Sequence, residues 1–345
     1  MQHPVLACRK VSRLYGARAS EFVTDGHLTT DNVQTLQEAG ITPAIFNVDL
    51  DIERGKTFVI MGLSGSGKST LLRCLAGLTP PSAGQILFES KNLFEFSEAD
   101  LIQIHRHQMG MVFQHFALLP HLTVLGNVAF PLEIQGRPRA EREEIAQRMI
   151  RLVGLEGREH RFPAQLSGGQ QQRVGIARSL AGDPDVWFLD EPFSALDPLI
   201  RREMQAEVMR LQGILKKTIV FITHDFEEAV RVAARIAIMK DGQVEQIGTA
   251  EELLVSPATD YVRAFTRDAP RAHILTARSI MTTPPSAGPF GGEVNATDRV
   301  ISFARELDAS SLPLAVIENN EVIGAIDRTM LLDILIGPEA QAVGA

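Results

Sequence analysis

Thr57-Phe-Val-Ile-Met61, then Gly62-Leu-Ser-Gly-Ser-Gly-Lys68-Ser69-Thr70, then Leu71-Leu-Arg-Cys-Leu-Ala76: this stretch decides the fold. The apolar run reads as a buried strand, the glycines as a loop and the leucine-rich run as a helix. Together they match G-x-x-x-x-G-K-[ST], the phosphate-binding loop. Glycine lets consecutive backbone N–H groups turn inward without a Cβ clash. The N–H groups of Gly62, Ser64, Gly65, Ser66 and Gly67 and the positive end of the following helix therefore face an anion. Lys68 reaches the β/γ-phosphates, Ser69 supplies a hydroxyl to Mg²⁺, and Thr70 closes the motif. The stretch predicts a nucleoside triphosphate site and leaves open what the energy is for.

Outward from the loop, 345 residues give room for two or three domains. A hydrophobic content of 45% with 22% charged residues places the chain among ordinary globular proteins. Its net charge of −8 and pI near 5.6 argue against a general nucleic-acid binder, which needs a basic surface. Cys8 and Cys74 stand far apart and outside any metal-ligand spacing, so a reduced, intracellular chain without a disulfide framework is expected. No apolar run approaches the roughly 18 residues of a membrane span. Residues 1–10 lack the apolar core of a signal peptide. Any membrane role is expected to run through a partner.

Strands are expected at 4–15, 45–53, 57–61, 85–88, 109–113, 186–189, 218–222 and 235–239, the second by its apolar/polar alternation. A helical insert is expected at about 29–40, capped by Thr30 or Asp31 and stopped by Gly40. Between 97 and 180 charged helical segments dominate, among them Arg139 to Leu152 with Ile145, Met149 and Leu152 on one stripe. Leu199 to Leu215 is a further helix with Met204, Val208, Leu211 and Leu215 on one face. Strands alternating with helices predict a parallel sheet covered on both sides. A Pro/Gly-rich linker follows at 282–292, too irregular for an element. After it comes a short αββα pattern: a helix at 300–307, strands at 314–317 and 322–326, and a helix at 329–336.

Further motifs follow the loop in order. Val186-Trp-Phe-Leu-Asp190-Glu191 is an apolar strand ending in two carboxylates. Asp190 can hold Mg²⁺ at the sheet edge and Glu191 can polarise water. Leu166-Ser167-Gly168-Gly169-Gln170 precedes a helical run at Val174 to Leu180 and makes a second helix-N-terminus anion site. One nucleotide needs one cradle, so the second points to a second ligand or a second subunit. His224 ends an apolar strand at the same sheet edge as Asp190. Gln114 ends another, able to position Mg²⁺ or water, and Ser194-Ala-Leu-Asp197 lies just beyond the acidic pair.

Taken together these residues resemble the ATPase subunit of an ABC (ATP-binding cassette) transporter over about residues 5–265. Residues 62–70 resemble its Walker A loop, Gln114 its Q-loop glutamine, 166–170 its signature and 186–190 its Walker B strand. Glu191 corresponds to its catalytic glutamate, 194–197 to its D-loop and His224 to its switch histidine. The resemblance implies a P-loop α/β core with an α-helical subdomain, taken here as a nucleotide-binding domain over 1–270. It also implies ATP and Mg²⁺, and a head-to-tail homodimer in which one signature covers the ATP of the other subunit. Membrane permease partners follow, with a periplasmic or lipid-anchored solute-binding protein acting indirectly, no nucleic acid, and a peripheral place on the cytoplasmic face of the inner membrane. The finer resemblance is to importers of glycine betaine, proline betaine and choline. It rests on 59–68, on Phe113-Gln-His-Phe-Ala-Leu-Leu-Pro-His121 and on the insert. In that reading Tyr15, in Val-Ser-Arg-Leu-Tyr-Gly, is the aromatic residue that stacks on adenine, with the insert explaining its distance from the loop; Phe46 is the weaker candidate.

Residues 276–345 resemble a single cystathionine-β-synthase-type (CBS) module, so pairing between two copies of the chain is expected. Nine acids against four arginines give the segment a net charge of −5, which anionic lipid would repel. A DNA-repair or chromosome-structuring cassette would need a long coiled-coil insertion, and a translation-associated one would usually carry two cassettes and a basic linker. Another small solute, such as an amino acid, is the remaining alternative within transport.

Overall fold

The computed structural model describes residues 3–113, 117–194, 196–282 and 289–331. The chain forms two compact units, Met1–Glu245 and Gln246–Ala345. That divide falls ahead of the boundary expected near residue 270, because short helices at Ala250–Val255, Asp260–Phe265 and Arg271–Ile274 group with the C-terminal unit.

The strands that begin in the first unit are β1 (Leu6–Tyr15), β2 (Val23–Thr24), β3 (His27–Leu28), β4 (Thr42–Ile52), β5 (Thr57–Met61), β6 (Ala83–Phe88), β7 (Lys91–Asn92), β8 (Met109–Val112), β9 (Val186–Asp190), β10 (Thr218–Thr223), β11 (Arg235–Lys240) and β12 (Gln243–Gly248), the last crossing the divide. A six-stranded sheet runs β12-β11-β5-β10-β9-β8, parallel from β11 to β8. Every residue of β5, β9 and β10 is buried, as continuous apolar runs require when helices cover both faces. The second sheet, β4-β1-β6-β7, is antiparallel. Within β4, Val48, Leu50 and Ile52 are buried and Asp49 and Asp51 are exposed, the expected alternation.

The expected helical stretch is present as Glu98–His107, Val124–Ile134, Arg139–Leu152 and Gly168–Ala181. It is interrupted by β8, which pairs with β9 in the core sheet. Helix Arg139–Leu152 has the expected bounds but buries Ala146 and Ile150. The expected stripe of Ile145, Met149 and Leu152 is only half-buried. The two rows are neighbours on the helix, and the row carrying the small Ala146 allows the closer approach. The helix expected at Val174 begins six residues earlier, at Gly168.

The insert is more than a helix. A 3₁₀ turn (Ala19–Phe22) and the β2–β3 hairpin precede helix Val33–Glu38. That helix is capped by Asn32, whose side chain accepts from Gln34 N–H, and not by Thr30 or Asp31. Thr30 instead accepts from Asn32 N–H, and Asp31 accepts from the Asn47 amide.

In the second unit, β13 (Gly292–Asn295), β14 (Leu314–Glu318) and β15 (Glu321–Ile326) form one sheet, β13 parallel and β15 antiparallel to β14. Helix Val300–Ala309 buries Val300, Phe303 and Leu307. β13 corrects the linker expectation, since the Pro/Gly-rich run gives way to a strand at Gly292. The expectation of a helix at 329–336 falls mostly outside the described residues, of which 328–331 are helical.

Candidate active site

The phosphate loop is built by close backbone approach. A Cβ at Gly67 (φ +97°) would lie 2.2 Å from the Ala44 carbonyl oxygen, and one at Gly62 would lie 2.3 Å from that of Met239. Only glycine fits either place. Gly242, in the turn between β11 and β12, supports the loop from behind: its N–H donates to the Ser66 carbonyl and its own carbonyl accepts from Phe46 N–H. The Ser66 hydroxyl is buried without a partner, an orphaned donor in a cradle shaped for an anion. Lys68 opens helix Lys68–Leu75, with its Nζ 2.9 Å from the Gly62 carbonyl and 3.0 Å from that of Leu63. Burial holds the Lys68 pKa below its ordinary value, against the pull of Glu191 and Asp190.

Strand register brings the other chemistry to this loop. Asp190 pairs with Ile222 and Met61 with Thr223, so β5, β9 and β10 end side by side and release Gly62, Glu191 and His224 at one edge. Ser69 Oγ donates to Asp190 Oδ1 at 3.0 Å. Burial raises the Asp190 pKa, opposed by that hydrogen bond. Glu191 adopts φ +42°, a left-handed conformation that costs a non-glycine residue energy. Its carbonyl accepts from the Ser194 N–H and hydroxyl, which hold the turn. Its carboxylate lies 4.0 Å from Lys68 Nζ and 3.5 Å from His224 Nδ1. A lysine, a strand-end aspartate bonded to a serine, and a glutamate facing an exposed histidine thus surround one anion cradle.

Residues 45–194 match the family described as ABC transporter. The chain is 46% identical to the trimethylamine N-oxide transport system ATP-binding protein TmoW of Pelagibacter ubique (strain HTCC1062), over 98% of this chain and 99% of the relative. It is 50% identical to TmoW of Ruegeria pomeroyi, over 97% and 98%. To the glycine betaine transport ATP-binding protein OpuAA of Bacillus subtilis (strain 168) it is 47% identical, over 79% of this chain and 65% of the relative. The chain belongs to the ABC transporter family. It is an ATPase subunit of that class. Its fold is shared with a solved dimer of the ATP-binding cassette MJ0796 bound to ADP and Pi, at TM-score 0.59 and 33% identity, over 71% of this chain and 98% of that one.

The remaining expected cassette residues fall elsewhere. Ser167 and Gln170 form a reciprocal capping box at the start of helix Gly168–Ala181: Ser167 Oγ accepts from Gln170 N–H, and Gln170 Oε1 accepts from Ser167 N–H. Ser167 and Gly168 are exposed. A Cβ at Gly169 would meet Ile200 Cγ2 at 2.7 Å, so this helix start is wedged against helix Pro198–Leu215. Asp197 caps that second helix, accepting from Leu199 and Ile200 N–H. Gln114 lies outside the described residues. Tyr15 is exposed at the end of β1, paired with Thr42, two residues from the Ala44 that backs Gly67. Phe46 is excluded as an adenine platform because it is buried against Leu14, Leu36 and Ile41, under the insert.

Proposed function

We propose that the chain energises import of a small, fully methylated amine solute, acting as a homodimer beneath a membrane permease. The observation that carries the catalytic part is the cluster at one sheet edge: Lys68, Ser69 with Asp190, and Glu191 facing His224. In this reading Lys68 and the loop N–H groups hold the ATP phosphates. Glu191 orients and polarises the attacking water, and His224 contacts the γ-phosphate. Ser69 Oγ and Asp190 Oδ1 are adjacent hard oxygen donors that suit Mg²⁺, which would neutralise phosphate charge when bound. Gln114 is assigned its expected role there from the motif order. Ser167 and Gly168 are exposed, and Ser167 is bonded to Gln170; residues 167–170 suit a partner copy's nucleotide better than their own. That the MJ0796 cassette bound to ADP and Pi is a dimer supports self-association of this chain.

Among the described residues no helix is long and apolar enough to cross a membrane, so contact with a permease needs a surface. A groove of about 480 Å³ lined by Met109, Phe113, Phe130, Pro131, Ile134 and Arg178 is the candidate, with Phe113 and Ile134 among the exposed large apolar side chains. A peripheral position on the cytoplasmic face of the inner membrane follows, with a solute-binding protein reached only through the permease. Residues 276–345 are assigned self-association as a single CBS-like module.

The cargo class is read from relatives. Trimethylamine N-oxide and the betaines share a nitrogen with four substituents and a formal positive charge. The trimethylamine N-oxide relatives match this chain end to end, its C-terminal segment included, whereas the OpuAA match covers 79% of it. Uptake of labelled trimethylamine N-oxide, glycine betaine and choline by cells with and without this subunit tests the reading. Loss of methylated-amine uptake without it is expected; unchanged uptake of all three, with loss of an amino acid instead, refutes the cargo class.

A further inference from the structure

A buried polar junction lies behind His224. Glu228, the third residue of helix Phe226–Val232 and four positions beyond His224, is buried. One of its carboxylate oxygens accepts from the Thr223 hydroxyl. The other accepts from Gln205 Nε2 at 2.9 Å and lies 3.9 Å from Arg201 Nε. Thr223 Oγ1 also accepts from Asp225 N–H at 3.0 Å, spanning His224. Asp225 in turn caps the helix by accepting from Glu227 and Glu228 N–H. The backbone that presents His224 is thus tied on both sides, and the tie ends on Glu228. Gln205 and Arg201 belong to helix Pro198–Leu215, the helix that Asp197 caps.

We infer that Glu228 is a positioning residue for His224: by holding the Thr223 hydroxyl it fixes the turn that keeps His224 beside Glu191, and through Gln205 and Arg201 it ties that turn to the helix beginning at Asp197. Glu228 touches neither nucleotide nor water in this scheme and acts through His224. Burial explains why the tie is stiff. A buried hydroxyl or carboxylate that loses its partner bears its full desolvation cost, so the junction has one low-energy arrangement. Thr223 cannot relax toward solvent, because it is the last residue of a wholly buried strand.

The inference rests on the proposed role of His224, and the test separates the two. Thr223→Val keeps shape and removes the hydroxyl; Thr223→Ser keeps the hydroxyl. Glu228→Leu removes both acceptors. Glu228→Gln is a poorer probe, because Gln205 can turn its amide over and restore the pairing. ATP hydrolysis by the full chain is measured with kcat and KM separated, together with the urea midpoint. Thr223→Val and Glu228→Leu are expected to lower kcat about tenfold with KM for ATP within about twofold, since small misplacements of reacting groups are costly. Thr223→Ser is expected to restore most of the loss. Thr223→Val placed in a His224→Ala chain should cost nothing further. If Glu228→Leu does not fold, the Val/Ser pair at Thr223 carries the test. Wild-type kcat in Thr223→Val, or an equal further loss in the His224→Ala chain, overturns the inference. Wild-type kcat in His224→Ala itself overturns the role of His224 instead.

Discussion

Tyr15 and Phe46 offer a sharp test of how the base is held. Tyr15 is 45% exposed at the end of β1, and the Arg13 guanidinium sits 4.9 Å from the ring centroid on one face. Arg13 is anchored by a 2.9 Å hydrogen bond to the Pro80 carbonyl, so the opposite ring face is the one left for adenine. Base–aromatic stacking contributes about 1–3 kcal/mol. At about 1.4 kcal/mol per tenfold, Tyr15→Ala should weaken ADP and ATP binding about 5- to 140-fold. GDP should weaken in parallel, because stacking does not read hydrogen-bond edges. Phe46 is 3% exposed within the cluster of Leu14, Leu36 and Ile41. Phe46→Leu should lower the urea midpoint and leave nucleotide affinity nearly unchanged. Calorimetric titration with Mg-ADP beside urea denaturation reads both quantities. A Tyr15→Ala chain whose Kd stays within about twofold of wild type, or a folded Phe46→Leu chain that loses about tenfold in affinity, refutes the assignment.

Two further outcomes follow from the cluster. Glu191→Gln should bind ATP and accumulate as a closed dimer on size-exclusion chromatography while losing about 10²- to 10⁴-fold in turnover; retained hydrolysis would show that another group activates the water. Asp190 is expected to cost the nucleotide-free protein stability. Burial lifts its pKa above the ordinary 3.8, so the folded chain holds that proton more tightly than the unfolded one. Stability therefore falls as pH rises from about 3.8 until Asp190 ionises in the fold as well. Asp190→Asn should raise the urea midpoint at pH 7–8, lose that advantage near pH 4, and lose Mg²⁺-dependent nucleotide binding. An unchanged or lowered midpoint at pH 7–8 would contradict the sign.

The site was legible in the sequence wherever chemistry sits at a strand end. Gly62 directly follows an apolar run, Glu191 and His224 each stand one residue beyond one, and parallel register does the rest. Phe46 was not legible in this way. Alternation along β4 puts it in phase with buried Val48, Leu50 and Ile52, but Ile45, out of phase, is buried too, and nothing in that pattern names the insert as what covers Phe46. The β2–β3 hairpin carries a local signal: Asp25-Gly26, with φ of +50° and +75°, is a two-residue turn of the kind that favours hairpins. Asp241-Gly242, at +47° and +79° between β11 and β12, is the same signal, and its glycine supports the phosphate loop. The Glu228 junction has no sequence signature. It joins residues 5 and 23 positions apart through side chains whose meeting depends on how two helices pack.

That packing bears on why a cassette with a complete phosphate loop would still need a partner. The helix start bearing Ser167 is stiffened by its own capping box and wedged through Gly169 onto Ile200. Ile200 lies on the helix whose Arg201 and Gln205 meet Glu228, and Glu228 holds the turn before His224. If Ser167 to Gln170 serve the partner's nucleotide while His224 serves its own, each chain carries a short rigid path from one composite site to the other. Pressure on the exposed helix start would then reach His224 without any change in the loop that holds Lys68. The buried junction would pass such pressure on as a stiff link, because breaking its hydrogen bonds leaves buried polar groups without partners. Substitutions at Ile200 that loosen the wedge should therefore reduce cooperativity between the two sites more than they reduce ATP affinity at either.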